Sequence, residues 1–330
     1  MTNRFKIGSI VLFLILPASF IHPRLAASIP ESTTAPTLTL LWQTAFDKDS
    51  VLTEPDYIAV DSQGNSYIGE LSPGIMKKFN TDGKFVTAIR ADTQDLTGIG
   101  VDSQGNILLA GCERGHIQKF DGEGSSLGYF AADLSWCAIA IAVGSEDQVY
   151  ALGGTKEAGV HIQKFDSTGG QPLVAFGNAD SGDGEGQFGE GNNGMTLAID
   201  QDDKLYATDP ANNRILKFDE DGQFLTSFDL PDDGKPIDRK LVFFYDPWGV
   251  AVDGAGNIYV SNSYFLRKFD ADGNILAEWS TSEGDLYRGG RVAVDVAGNI
   301  YIVAEGDVTT ADNKPFKALV LKKFEQSAPE

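Results

Sequence analysis

From residue 38 onward, apolar and polar positions alternate in short runs bounded by acids, Asn and Gly, and no stretch holds a helical apolar period. These runs repeat. A phrase ending in Val-Asp, followed after two residues by Gly-Asn and then Tyr, occurs at Ala59-Val60-Asp61 with Gly64-Asn65 and Tyr67. It returns at Val101-Asp102 with Gly105-Asn106, at Val252-Asp253 with Gly256-Asn257 and Tyr259, and at Val294-Asp295 with Gly298-Asn299 and Tyr301. Drifted copies stand at Val143-Gly144 with Asp147-Gln148 and Tyr150, and at Ile199-Asp200 with Asp203-Lys204 and Tyr206, giving six in all. A second phrase, Lys-Phe, follows each first one at Lys78-Phe79, Lys119-Phe120, Lys164-Phe165, Lys217-Phe218, Lys268-Phe269 and Lys323-Phe324. Five of these lead into a turn, such as Asp82-Gly83 or Asp221-Gly222, and a further apolar run.

Each unit therefore reads as four short strands, a to d, joined by tight turns. The Asp after strand a bonds nearby backbone amides, while Gly and Asn tolerate positive φ, so adjacent strands pair antiparallel in a fixed register. Four-stranded sheets repeated about an axis make an all-β, six-bladed β-propeller, which hides most of its edges by circular repetition. Thr37 to Glu325 spans 289 residues, about 48 per blade. The sixth unit ends after Lys323-Phe324 without a strand d, and an orphan strand precedes the first unit, from Leu38 through Trp42 to Phe46. The expectation is that this N-terminal strand completes the last blade, with Leu40 paired there.

The phrases Tyr57-Ile58-Ala59-Val60-Asp61, Asn257-Ile258-Tyr259-Val260, Asn213-Arg214-Ile215-Leu216-Lys217-Phe218-Asp219 and Gly184-Glu185-Gly186-Gln187-Phe188 resemble NHL repeats. The resemblance covers nearly all of the chain after residue 38 and implies a propeller. It implies no single function, because NHL propellers include RNA-binding domains, extracellular sensors, adhesion modules and an amidating lyase. That lyase uses a three-histidine zinc site. This chain has three His in all, and His22 lies in the N-terminal segment, which leaves His116 and His161.

The N-terminal segment is a separate object. Arg4 and Lys6 precede an apolar run from Ile7 to Ile21, followed by the small residues Ala26, Ala27 and Ser28. This reads as a signal peptide over residues 1–27, with a retained membrane anchor as the alternative. Residues 28–37 read as a flexible leader, 38–326 as one propeller and 327–330 as a tail, the product being a monomer, secreted or held in the periplasm or cell envelope without stable membrane insertion. Composition then narrows the partners. The 330-residue chain carries 26 basic and 47 acidic side chains, a formal charge of −21. Cleavage near Ala27 removes Arg4, Lys6 and Arg24 and no acid, leaving −24. Such a surface repels nucleic acid and anionic lipid.

Binding on a rigid scaffold concentrates in long, irregular connections. The a–b and c–d turns are short and share one face; the b–c and d–a connections share the other. Four segments of the second set stand out as loops: Gly153 to Val160, Phe176 to Gly194, Leu230 to Trp248 and Ala304 to Leu319. In the third, Leu241, Val242, Phe243, Phe244 and Tyr245, with Arg239 before them and Trp248 after, either anchor a protein, peptide or glycan ligand or pack over a neighbouring loop. Gly184, Gly186 and Gly189 match a dinucleotide fingerprint, but they open no helix and are flanked by Asp183, Glu185 and Glu190. The same acids, with Asp180, Asn192 and Asn193, either wrap calcium or form a solvated loop. Glu70, Asp209 and Asn262 follow strand b in equivalent places; they either hold a divalent cation near the axis or cap the b–c turn. His116 and His161 begin equivalent strands in adjacent blades. Cys112 and Cys137 lie on the loop-rich side of adjacent blades and are either a disulfide or isolated thiols. No established catalytic motif is present. The reading that results is an exported, non-catalytic binding propeller; the alternative is a metal-assisted lyase, lactonase or hydrolase with its site at the channel mouth.

Overall fold

The computed structural model describes residues 25–26, 36–44, 52, 55–71, 73–113, 115–132, 134–155, 159–177, 181–190, 194–230, 249–262, 265–280, 286, 290–309 and 315–327. These residues form six antiparallel sheets arranged as the blades of a propeller. Strands a to d run Pro55–Val60, Ser66–Glu70, Ile75–Phe79 and Phe85–Arg90 in blade 1. Blade 2 has Leu96–Val101, Ile107–Gly111, His116–Phe120 and Ser126–Ala131; blade 3 has Cys137–Val143, Val149–Thr155, Gly159–Phe165 and Pro172–Phe176. In blade 4 they are Leu197–Ile199, Leu205–Asp209, Arg214–Phe218 and Phe224–Asp229, and in blade 5 Gly249–Val252, Ile258–Ser261, Phe265–Phe269 and Ile275–Ser280. Blade 6 takes Val292–Val294, Ile300–Thr309 and Pro315–Gln326 from the C-terminal end and Leu38–Gln43 from the N-terminal end as its strand d. Leu40 pairs with Phe324 there. Each strand a touches those of the blades on either side, blade 6 included, so the ring is closed. Outside the four-stranded pattern, Leu25–Ala26 run parallel to Phe228–Asp229 on the outer edge of blade 4, and Pro210–Asn212 form a single 3-10 turn.

Six apolar clusters hold the ring, each shared by two neighbouring blades. The repeated phrases explain why. Side chains alternate along a strand, so successive residues address opposite neighbours. The strand-b tyrosines Tyr67, Tyr150, Tyr206, Tyr259 and Tyr301 enter the cluster shared with the following blade. The Phe of each Lys-Phe pair (Phe79, Phe120, Phe165, Phe218, Phe269, Phe324) enters the cluster shared with the preceding one. The paired Lys then stands over its own blade's Tyr ring, as Lys78 does at 5.4 Å from the centroid of Tyr67 and Lys217 at 4.9 Å from that of Tyr206.

The turn acid ties this arrangement together. In blade 5, Asp253 Oδ1 accepts the backbone amides of Ala255 and Asn257, each at 2.9 Å, and Oδ2 accepts Asn257 Nδ2 at 2.8 Å and the Tyr259 hydroxyl at 3.0 Å. Asp61, Asp200 and Asp295 likewise accept backbone amides on one oxygen and their blade's tyrosine hydroxyl on the other. Blade 2 has Leu108 in place of Tyr, and Lys119 reaches Asp102 directly at 2.9 Å. Burial opposes ionisation of Asp102, but Lys119 and Asn106 outweigh it and hold its carboxyl below the ordinary value.

The drifted copies have a structural reason. Asp147 and Asp203 stand where other blades have Gly, with φ of 62° and 56°. Each carboxylate reaches back to the preceding blade: Asp147 accepts Ser103 N at 2.7 Å and Ser103 Oγ at 2.8 Å, and Asp203 accepts Ser145 N at 2.7 Å and Ser145 Oγ at 2.6 Å. A Cβ on Gly144 would stand 2.9 Å from Asp203 Oδ1, so the missing turn acid of blade 3 leaves room for the acid of blade 4.

Two of the expected loops are instead strands. Ala304–Thr309 pairs with Pro315–Val320 as an extension of strands b and c in blade 6, and Gly153–Thr155 with Gly159–His161 in blade 3. The acids of this stretch lie on one face of a regular alternation, with Ala304, Gly306 and Val308 buried and Asp307 and Thr309 exposed. Closure is reinforced by two indoles: Trp42 donates to Thr81 O of blade 1 at 2.9 Å, and Trp279 of blade 5 donates to Pro36 O at 2.8 Å.

Replacing Asp253 by Ala strips four donors of their acceptor and lowers the unfolding free energy by about 3 kcal/mol, measured by chemical denaturation. A double-mutant cycle on Ser145→Ala and Asp203→Gly, the glycine suiting the positive φ, gives a coupling energy of about 1 kcal/mol between blades 3 and 4.

Candidate functional site

Strand a lines the axis in every blade. A narrow space of about 50 Å³ runs between Tyr57-Ile58, Gly98-Ile99, Ala140-Ile141, Thr196-Leu197, Gly249-Val250 and Arg291-Val292. The first member of each pair stands four residues before the turn acid or its replacement, Gly144. Around the ring that position reads Tyr, Gly, Ala, Thr, Gly, Arg. The second member is aliphatic in all six blades and packs into the clusters between blades. Small residues let the inner strands come close: a Cβ on Gly249 would stand 2.9 Å from Val292 N. The two large members, Tyr57 and Arg291, belong to blades adjacent across the closure.

Those two side chains define the mouth. The Arg291 guanidinium lies 4.5 Å from the centroid of the Tyr57 ring, and its Nε is 3.5 Å from Asp56 Oδ1. The Arg291 side chain is 13% exposed and that of Asp56 42%, so the acid is the more accessible charge. Burial pushes the Tyr57 phenol well above its ordinary value, Arg291 opposing the shift and Asp56 adding to it. The hydroxyl therefore stays protonated. A cavity of about 360 Å³ opens here, lined by Pro55, Asp56, Tyr57, Ile58, Gly194, Gly290, Arg291, Val303 and Leu319. Its strand-a members come from the starts of those strands, which places it on the face carrying the b–c and d–a connections.

The sequence-nominated residues fall elsewhere. Glu70 and Asp209 end strand b and Asn262 directly follows it, one strand out from the channel, and each is engaged within its own blade. Glu70 pairs with Lys77 at 3.0 Å; Asn262 Oδ1 accepts Phe265 N at 2.9 Å across the b–c turn. Asp209 accepts Arg214 Nε at 2.9 Å, Asn212 Nδ2 at 2.8 Å and Gly189 N at 3.0 Å. Among the described residues no group of three or more His, Cys, Asp or Glu is placed to hold a metal ion.

Arg214, fully buried, also donates to the carbonyls of Asp183, Gly184 and Gln187. The Gly184-x-Gly186-x-x-Gly189 loop thus turns carbonyl oxygens toward a cation, whereas a phosphate-binding loop turns amides toward an anion. Its partner Asp209 makes the pair inseparable, since a lone buried charge is strongly unfavourable.

His116 and His161 begin and lie within strand c of blades 2 and 3, away from the channel strands. His116 meets Tyr129 edge-on at 5.0 Å, and His161 meets Trp136 at 4.8 Å. Burial holds the His161 imidazole below its ordinary pKa, and so neutral at pH 7, against an opposing bond with Gly159. Cys112 and Cys137 form a disulfide, Cα atoms 4.4 Å apart, joining the b–c connection of blade 2 to the first residue of strand a in blade 3. Arg239, Phe243, Phe244, Tyr245 and Trp248 lie outside the described residues, as do Asp180, Asn192 and Asn193 of the acidic loop. The segment 231–248 nonetheless leaves from Leu230 and returns at Gly249, both on the loop-bearing face.

The fold defines the chain as a six-bladed β-propeller. Among solved structures it is similar to a selenomethionine-substituted virginiamycin B lyase from Staphylococcus aureus, with a TM-score of 0.56 and 15% identity over 88% of this chain and 100% of that one. A catalytically inactive histidine-to-alanine variant of that lyase with quinupristin aligns at 0.56 and 14% identity over 88% of this chain and 100% of that one. A streptogramin B lyase aligns at 0.56 and 14% identity, covering 88% and 98%. At this identity the likeness is one of fold. No family model matches the chain. No curated protein matches it in sequence.

Replacing both Cys112 and Cys137 by Ser releases the loop they close, 25 residues in sequence separation. The variant loses about 3 kcal/mol of stability, read as a lower denaturation midpoint that reductant lowers no further.

Proposed function

We propose that this chain is an exported, non-catalytic propeller, an NHL-like repeat protein that binds a protein, peptide or glycan ligand on its loop-bearing face. The observation that carries the reading is the cavity at the channel mouth, where Tyr57 and Arg291 replace the small residues of the other blades and Asp56 stands beside them. An aromatic ring, a guanidinium and an accessible carboxylate around an aliphatic floor form a recognition surface. The N-terminal basic-apolar-small pattern and the disulfide support export. The insertion with Arg239, Phe243, Phe244, Tyr245 and Trp248, flanked by Leu230 and Gly249 on that face, is proposed as a second contact region.

A lyase is the second reading, favoured by the fold of the streptogramin and virginiamycin B lyases. In one of those proteins a single histidine-to-alanine change abolishes catalysis. Here the two described histidines stand on strand c of blades 2 and 3, so this reading has no imidazole among the residues lining the mouth.

Tyr57→Ala with Arg291→Ala is expected to reduce capture of cell-envelope peptides and glycans on arrays at least about tenfold. Asp272→Ala on the turn face is expected to leave capture unchanged. Incubation with quinupristin, followed by mass spectrometry, is expected to return the substrate intact. Cleaved product, or binding indifferent to the mouth substitutions, overturns the proposal.

A further inference from the structure

The channel mouth has a definite charge order, and this inference rests on that mouth being the binding site. Asp56 and Arg291 lie side by side, with Arg291 Nε 3.5 Å from Asp56 Oδ1. Next to them the cavity wall is aliphatic, from Pro55, Ile58, Val303 and Leu319. A ligand complementary to this surface carries a cation and an oxygen acceptor on one carbon, with an apolar group beside them. We propose that the pocket takes the free N-terminus of a peptide whose first residue is aliphatic: the α-ammonium on Asp56, the first peptide carbonyl on Arg291, and the first side chain against Val303 and Leu319.

Three observations separate this ligand from its competitors. A C-terminal carboxylate matches Arg291, but it would meet Asp56, the more accessible of the two charges, on a protein of net charge −21. The same acidic excess draws in an ammonium. A sugar needs an open aromatic face, and one face of Tyr57 is already covered by the Arg291 guanidinium. The cavity of about 360 Å³ holds one or two residues and opens outward, so the remainder of a peptide leaves through the mouth over the loop-bearing face.

The test uses two synthetic peptides, Leu-Val-Ala-Gly-amide with a free N-terminus and its N-acetyl form, titrated calorimetrically into the full chain at low salt. The free peptide is expected to bind at least about tenfold more tightly than the acetylated one. Asp56→Asn abolishes that preference, Asp56→Glu restores part of it, and added salt weakens the free peptide alone. Thermal melts of the variants report folding independently. Equal binding of both peptides that is lost in Tyr57→Ala overturns the N-terminus proposal and leaves the mouth as the binding site. If neither peptide binds and ligand capture persists in the mouth variants, both readings fall.

Discussion

The ring depends on one repeated interaction: a turn carboxylate that accepts backbone amides on one oxygen and a buried tyrosine hydroxyl on the other. The bond to the hydroxyl satisfies the one polar atom of a side chain that is otherwise apolar, which lets Tyr67, Tyr206, Tyr259 and Tyr301 be fully buried between blades. Turn geometry and interblade packing are therefore coupled through a single side chain. The lysine over the ring balances the carboxylate and shields the site, with Lys268 3.9 Å from Asp253 and Lys323 3.6 Å from Asp295. Local hairpin formation and long-range closure thus favour the same residues, which is the consistency expected of a sequence that specifies one structure.

Where the motif fails, the neighbouring blade compensates. Blade 3 has no turn acid, and the carboxylate of Asp203 enters from blade 4 to take the Ser145 amide and hydroxyl. Placing a non-glycine residue at positive φ is unfavourable in isolation, by about 1 kcal/mol, and Asp tolerates it better than most. Two hydrogen bonds across a blade boundary offset that strain. The run of blades 2, 3 and 4 is further tied by Ser103 to Asp147 and by the disulfide, whereas blades 5, 6 and 1 are tied by the N-terminal strand and its indole contacts. Different devices serve the two halves of one ring.

The fold was legible because its determinants are short-range and repeated. Asp at the strand end, Gly at positive φ and Lys-Phe at fixed distance give blade count, strand order and the pairing of Leu40 with the last blade. The loop-like appearance of residues 304–309 misled because Glu305 and Asp307 occupy the outer face of a strand whose other face, Ala304, Gly306 and Val308, is buried. Nomination of Glu70, Asp209 and Asn262 followed from their equivalent places in the repeat, but equivalence put them at the end of strand b, where each closes its own turn or pairs with its own strand c. Tyr57, Asp56 and Arg291 were not nominated, although aligning the units on the turn acid exposes Tyr57 and Arg291 as the large residues in a column of Gly, Ala, Gly and Thr.

That contrast has a general cause. In a closed ring of similar units, any residue required by the fold must recur, so recurrence marks structure. A site on the axis is shared by all blades but occupied by one ligand of lower symmetry, and its residues must break the repeat. The position four before the turn acid is where such a break occurs: it lines the channel space, and Tyr57 also packs against the cluster between blades 1 and 2. Tyr57 and Arg291 also require each other: they lie on blades brought together only when the ring closes, and the guanidinium stacks on the ring of its neighbour. The mouth is thus a product of closure itself, and the same N-terminal strand that completes blade 6 holds together the two blades that form it.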